Sequence, residues 1–283
     1  MKRFLLLVLS VSFSSLLMAQ DILDGAYKKD IRDGGRDRLI QPYHHVREAD
    51  VMWSTKIWRE IDLREKMNQV FYYPVKPIDD RKSLIDVLMD AIQLGEITAY
   101  GNAIFDDEWN FPMSTSEVEM IGITGAMTDT LWGYDDELEQ EVFEIMKNEF
   151  DRSTVKKYRI KEEWYFDKQR SVMDVRIIGI CPVQEKFDDD DNFLGFNPLF
   201  WVYYPEARSV LSKAEVFNRR KNDAARMTYD DIFHKRFFNS FITKESNNKD
   251  RKISSYKAGL DALLEAERIK EEIFNLEHDL WEY

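Results

Sequence analysis

The chain has 283 residues, enough for one large domain or two small ones, and 44% apolar residues, enough for a substantial core. Its formal charge is −13. That balance excludes the basic patch of a nucleic-acid binder and electrostatic attachment to anionic lipid.

Residues 1–19 read MKRFLLLVLSVSFSSLLMA. A basic start at Lys2 and Arg3, an apolar middle and a small residue at Ala19 predict a cleavable secretory signal peptide. A membrane anchor is the competing reading. Ser10, Ser12, Ser14 and Ser15 interrupt a segment already short for a span. No cysteine stands at the cleavage position, so a lipid anchor is not expected, and no other segment is apolar enough to insert in a membrane. Residues 20–45 are polar, with Gly34–Gly35 and Pro42, and predict an extended arm with no core of its own. His44, His45 and Glu48 do not form a metal-ligand spacing.

Residues 46–250 are expected to form a compact body. Its first stretch, 46–77, reads VREADVMWSTKIWREIDLREKMNQVFYYPVKP. Ser54 and Thr55 can cap a helix. At about 100° per residue Trp53, Ile57, Ile61 and Met67 share a side. Glu60 and Arg64, four residues apart, then form a structural ion pair in that stripe. Trp58 points away from it and is a candidate partner contact.

Ser83 caps a second helix, SLIDVLMDAIQLGE, which Gly95 ends. Residues 97–105 suggest a short strand and turn. Residues 110–135 show no clear period, and 136–150 suggest a short acidic helix. The period changes to two over 155–166 and 172–180, a hairpin around 167–170. PLFWVYYP, 198–205, adds a third strand to the same antiparallel sheet, with 187–198 as the connecting loop. Asp188, Asp190 and Asn192 alternate as in a calcium loop, but Phe193 and Leu199 stand where that loop needs Gly and Glu. A helix is expected from Glu206, and a longer aromatic one over 229–243.

Residues 251–283 form a linker and a long C-terminal helix. Leu260, Leu263, Leu264, Phe274 and Trp281 make one apolar face; Ile269, Ile273, Leu276 and Leu280 make another, at coiled-coil-like spacing. Either the body wraps both faces or one meets a neighbouring subunit. The second face, with Trp58, is the candidate partner contact.

The fold class expected is α+β: helices around a small antiparallel sheet, an extended N-terminal arm and a long C-terminal helix. Nothing converges on catalysis. There is no nucleophile elbow, no zinc-protease motif and no His-based triad, and Cys181 at the end of an apolar run reads as a buried thiol. No cofactor or metal is called for. An exported module binding a small ligand or calcium remains the alternative.

The strings READVMWSTKIWREIDLREKMN followed by YYP, SLIDVLMDAIQLGEITAYG, RIKEEWYFDKQRSVMDVRIIGICPV and PLFWVYYPEAR resemble the gliding-motility GldN/PorN family. The resemblance covers most of the chain after the signal. It implies a non-enzymatic periplasmic scaffold of the type IX secretion system. Such a scaffold forms rings with the outer-membrane lipoprotein GldK/PorK, meets the periplasmic part of the motor protein GldM/PorM, and serves protein secretion and gliding.

Overall fold

The computed structural model describes residues 40–279, apart from 79–80, 102, 105–106, 122–127, 136–139, 148–149, 189–191 and 218–225. Over 128–135 and 140–147 it describes the backbone alone. The signal segment, arm residues 20–39, most of the acidic tip 188–192, and Leu280 and Trp281 lie outside the described residues.

The stretch expected as a helix is a strand. β1 spans Val51–Asp62, and only Gln69–Tyr72 beyond it, α1, is α-helical. Residues 57–61 are buried on both faces of a sheet, and a strand covered on both sides loses the polar alternation that would reveal it. Ser54 and Thr55 therefore pair across the sheet with Tyr165 and Trp164 instead of capping a helix.

α2, Leu84–Gln93, forms as expected. Ser83 and Asp86 make a reciprocal capping box, and Gly95 follows in the left-handed conformation (φ 73°). β2 is the short strand Ala99–Tyr100, and α3, Thr115–Met120, is a capped turn within the segment that shows no period. Where an acidic helix is expected over 136–150, the described residues form strand β4, Gln140–Lys147, which pairs antiparallel with β3, Thr128–Asp135.

β5, Val155–Asp167, and β6, Val172–Phe187, form the expected hairpin around Lys168–Ser171. The loop expected over 187–198 contains β7, Phe193–Pro198, which pairs with the end of β6. β8 is Trp201–Tyr203, and α4, Tyr204–Leu211, carries Pro205 in its first turn. β9, Glu215–Val216, pairs with β10, Met227–Thr228. The aromatic helix is shorter than its pattern. α5 is Tyr229–His234, and Phe241–Glu245 is strand β11. α6 runs Leu260–Asp279, within the predicted C-terminal helix.

The main sheet has seven strands in the order β11-β1-β5-β6-β8-β2, with β7 also on β6, and its pairings are antiparallel. The fold is α+β, with a sheet larger than the sequence suggests because β1, β7 and β11 join it. One face carries Ile61, Tyr158, Ile160, Ile180 and Val202 under α2, α4 and α5. At its centre Phe71 packs on Phe233 at 5.2 Å and on Tyr229 at 6.1 Å. The other face carries Trp58, Cys181, Val183 and Trp201. A third cluster, Ile57, Ile242, Ile253, Ala266, Ile269 and Ile273, holds α6. Of the arm, residues 40–45 lie on the body: Arg208 donates to the Gln41 carbonyl at 2.7 Å, and its guanidinium sits 4.3 Å from the Tyr43 ring centre.

Candidate functional site

Strand alternation builds the site. Along β5 Tyr158 and Ile160 enter the main core, so Lys157, Arg159 and Lys161 project to the opposite face. On β1 Trp58 and Glu60 project the same way: Trp58 stands opposite Lys161, and Glu60 opposite Arg159. On its other side Trp58 is paired with Lys244 of β11.

Trp58 is almost fully buried between these cations. The Lys244 ammonium lies 4.0 Å from its ring centre and that of Lys161 lies 5.3 Å away. Its indole Nε1–H donates to Asp107 at 2.5 Å. Lys161, itself buried, donates to the Asp107 carbonyl at 2.8 Å and lies 4.8 Å from the Trp109 ring. Gly179 of β6 makes room for that arrangement, because a Cβ there would stand 2.7 Å from the Trp109 ring. Trp58, expected as a partner contact, is thus mostly buried inside its own chain, and what it offers outward is the base of a groove.

Above this floor opens a groove of about 380 Å³. Trp58, Trp201, Lys157 and Arg159 form its base, Ile104 and Asp107 one wall, and Lys244, Lys252, Ala262 and Leu263 the other. No histidine or cysteine lines it among the described residues. Cys181 is buried beside it, and burial pushes its thiol up to about 12. The groove can therefore bind and orient a ligand, and its buried neighbour Cys181 is held as a neutral thiol.

The ion pair expected between Glu60 and Arg64 does not form. Glu60 accepts from Lys157 at 2.5 Å and lies 3.6 Å from Arg159, while Arg64 binds Asp62 at 2.5 Å on the surface. Glu60 lies on β1 and Arg64 beyond its end, so the two do not share a helical face, and the partners of Glu60 come from the paired strand β5. Sequence reasoning also missed a second buried centre. Glu162, with no solvent exposure, holds Arg236 at 2.9 Å and Arg59 at 3.7 Å, and Trp164 donates to it at 3.1 Å. The register slips between Lys161 and Glu162.

The faces of α6 are also exchanged relative to expectation. Ile269 and Ile273 are buried against Ile57, Ile242 and Ile253, and Leu276 is half-buried. They are not free for a partner. Leu260, Leu263, Leu264 and Phe274 are more than half exposed instead.

A family model described as gliding motility associated protein GldN matches residues 46–282. The chain belongs to the GldN family. The match takes in β1, the groove and α6. This is a gliding-motility family. No curated protein matches the chain. Among the described residues no helix is long and apolar enough to cross a membrane, and no group of three or more His, Cys, Asp or Glu residues could hold a metal ion.

Proposed function

We propose that the protein is a non-enzymatic scaffold of the type IX secretion system, working in the periplasm after export on residues 1–19. It assembles in a ring with the outer-membrane lipoprotein GldK/PorK and meets the periplasmic part of the motor protein GldM/PorM. Force from the motor passes through this ring to the outer-membrane apparatus that secretes proteins and drives gliding. The observation that carries this reading is the GldN match over residues 46–282.

Two features support a mechanical role. Three long strands pair side by side, β1, β5 and β6, with 12, 13 and 16 residues. Such a sheet transmits load through many hydrogen bonds at once. The outer face of α6 presents Leu260, Leu264 and Phe274 without cover from the body, as a subunit or lipoprotein contact requires.

The test is a gentle-detergent purification of the tagged protein from its own cells, with cross-linking and mass spectrometry. Recovery of the lipoprotein in near-equal amount, in a very large particle with cross-links on α6, supports the reading. Recovery of a lone monomer overturns it. The second reading, an exported small-ligand module, is favoured by the groove alone; it requires a heat-stability gain with ligand and no large particle.

A further inference from the structure

The chain carries a net charge of −13, yet the groove is locally positive. Lys157, Arg159, Lys244 and Lys252 line it against Glu60, Asp107 and Asp250. Each carboxylate is already engaged. Glu60 faces both Lys157 and Arg159, Asp107 serves Lys161 and Trp58, and Asp250, at the exposed rim, holds Lys244. Lys252 has no ion-pair partner among the described residues. Although its side chain reaches solvent, partial desolvation at the groove, then the like charges of Arg159 and Lys244, hold its pKa below the ordinary lysine range.

An unpaired ammonium beside two more cations, in a cleft of ligand size, is satisfied by an incoming anion. The lip of the groove is apolar. Ile104 and Leu263 are more than half exposed there. An ion alone leaves those side chains in water, whereas an apolar body behind the charge covers them.

We infer that this groove is a binding site for a carboxylate carried on an apolar body, its charge beside Arg159 and Lys252 and its body against Ile104 and Leu263. A free amphipathic acid and a glutamate beside an aromatic residue in a peptide offer the same chemistry. The inference stands whether or not the protein is a ring scaffold.

The experiment uses the protein lacking only residues 1–19, labelled so that its indole N–H signals are read by NMR. The probes are 3-phenylpropionate, its neutral amide and inorganic phosphate. The acid shifts the Trp58 and Trp201 signals saturably, while the amide and phosphate at equal concentration do not. K252Q weakens the acid by about threefold or more, and D250N, which releases Lys244, tightens it about two- to fivefold. Both positions are exposed, and opposite changes in affinity do not arise from loss of fold. Equal responses to acid and amide, a full response to phosphate alone, the absence of a saturable shift, or an unchanged affinity in K252Q overturns the inference. A blocked Gly-Glu-Phe-Gly peptide separates the sources: tighter binding than the free acid assigns the site to a protein segment, weaker binding to a small acid.

Discussion

Lys157 Nζ lies 2.5 Å from Glu60 Oε1, across 97 residues of chain. Arg159 approaches the other oxygen at 3.6 Å, so one carboxylate offsets two nearly buried cations. Replacing it with alanine leaves both uncompensated beside Lys252. E60A is expected to cost about 2–4 kcal/mol, whereas R64A, on an exposed pair, costs less than about 0.5 kcal/mol. Urea unfolding of the two variants measures the contrast, and equal losses would contradict the pairing.

Glu162 is the more demanding centre. Burial disfavours the Arg59 guanidinium, which Glu162 then restores as its nearest opposite charge. E162A leaves Arg59 charged in a dry site and is expected to cost about 3–5 kcal/mol. The double variant R59M/E162L, which removes both charges, should lose less than E162A alone. Denaturant midpoints of the pair decide it.

The exchange of faces on α6 separates folding from assembly. I269A opens a cavity among Ile57, Ile242 and Ile253 and is expected to cost about 2–5 kcal/mol. L264S and F274S change stability by about 0.5 kcal/mol or less. If the scaffold reading holds, those two variants lose the large particle while melting normally. Sizing chromatography beside a thermal melt reads both effects.

Glu265 fastens the start of α6. It accepts from Arg268 at 2.6 Å and pairs with Lys257 at 3.0 Å, and these partners hold its carboxyl down to about 2. A carboxyl lowered on folding stabilises the protein fully above its unfolded pKa, about 4.3, and that contribution fades as pH falls toward 2. Between pH 5 and pH 3 the parent protein should therefore lose more stability than E265Q. Parallel acid-limb unfolding curves for the two proteins would refute this.

Gly179 tests the packing under the groove. In G179A the new methyl meets the Trp109 ring, and the overpacking is expected to cost about 1–3 kcal/mol. A shift of the Trp109 indole signal should accompany the loss. A neutral effect on both would show that the ring moves aside freely.

How legible these features are in the sequence depends on how local their causes are. Ser83, Asp86 and Gly95 announce α2 because a cap is made within four residues. The hairpin of β5 and β6 is legible for the same reason. β1 is not. Its hydrogen bonds go to β5, about a hundred residues away, and to β11, farther still, and residues buried on both faces show no single period. Phe241–Glu245 continues an aromatic helical pattern, yet it becomes a strand because the edge of β1 needs a partner.

The sequence by itself determined the α+β class, the extent of α2, the presence of the long C-terminal helix α6, the burial of Cys181 and, through its Trp-rich strings, the GldN family. These rest on local capping, on periodicity within one element, or on residue identity. Only the tertiary structure decided that Glu60 answers Lys157, that Glu162 holds Arg59 and Arg236, and that Leu264 rather than Ile269 faces outward on α6. Each of these depends on which distant strand lies alongside. A two-residue period sends neighbouring side chains to opposite faces, so register, and not spacing along the chain, chooses the partner.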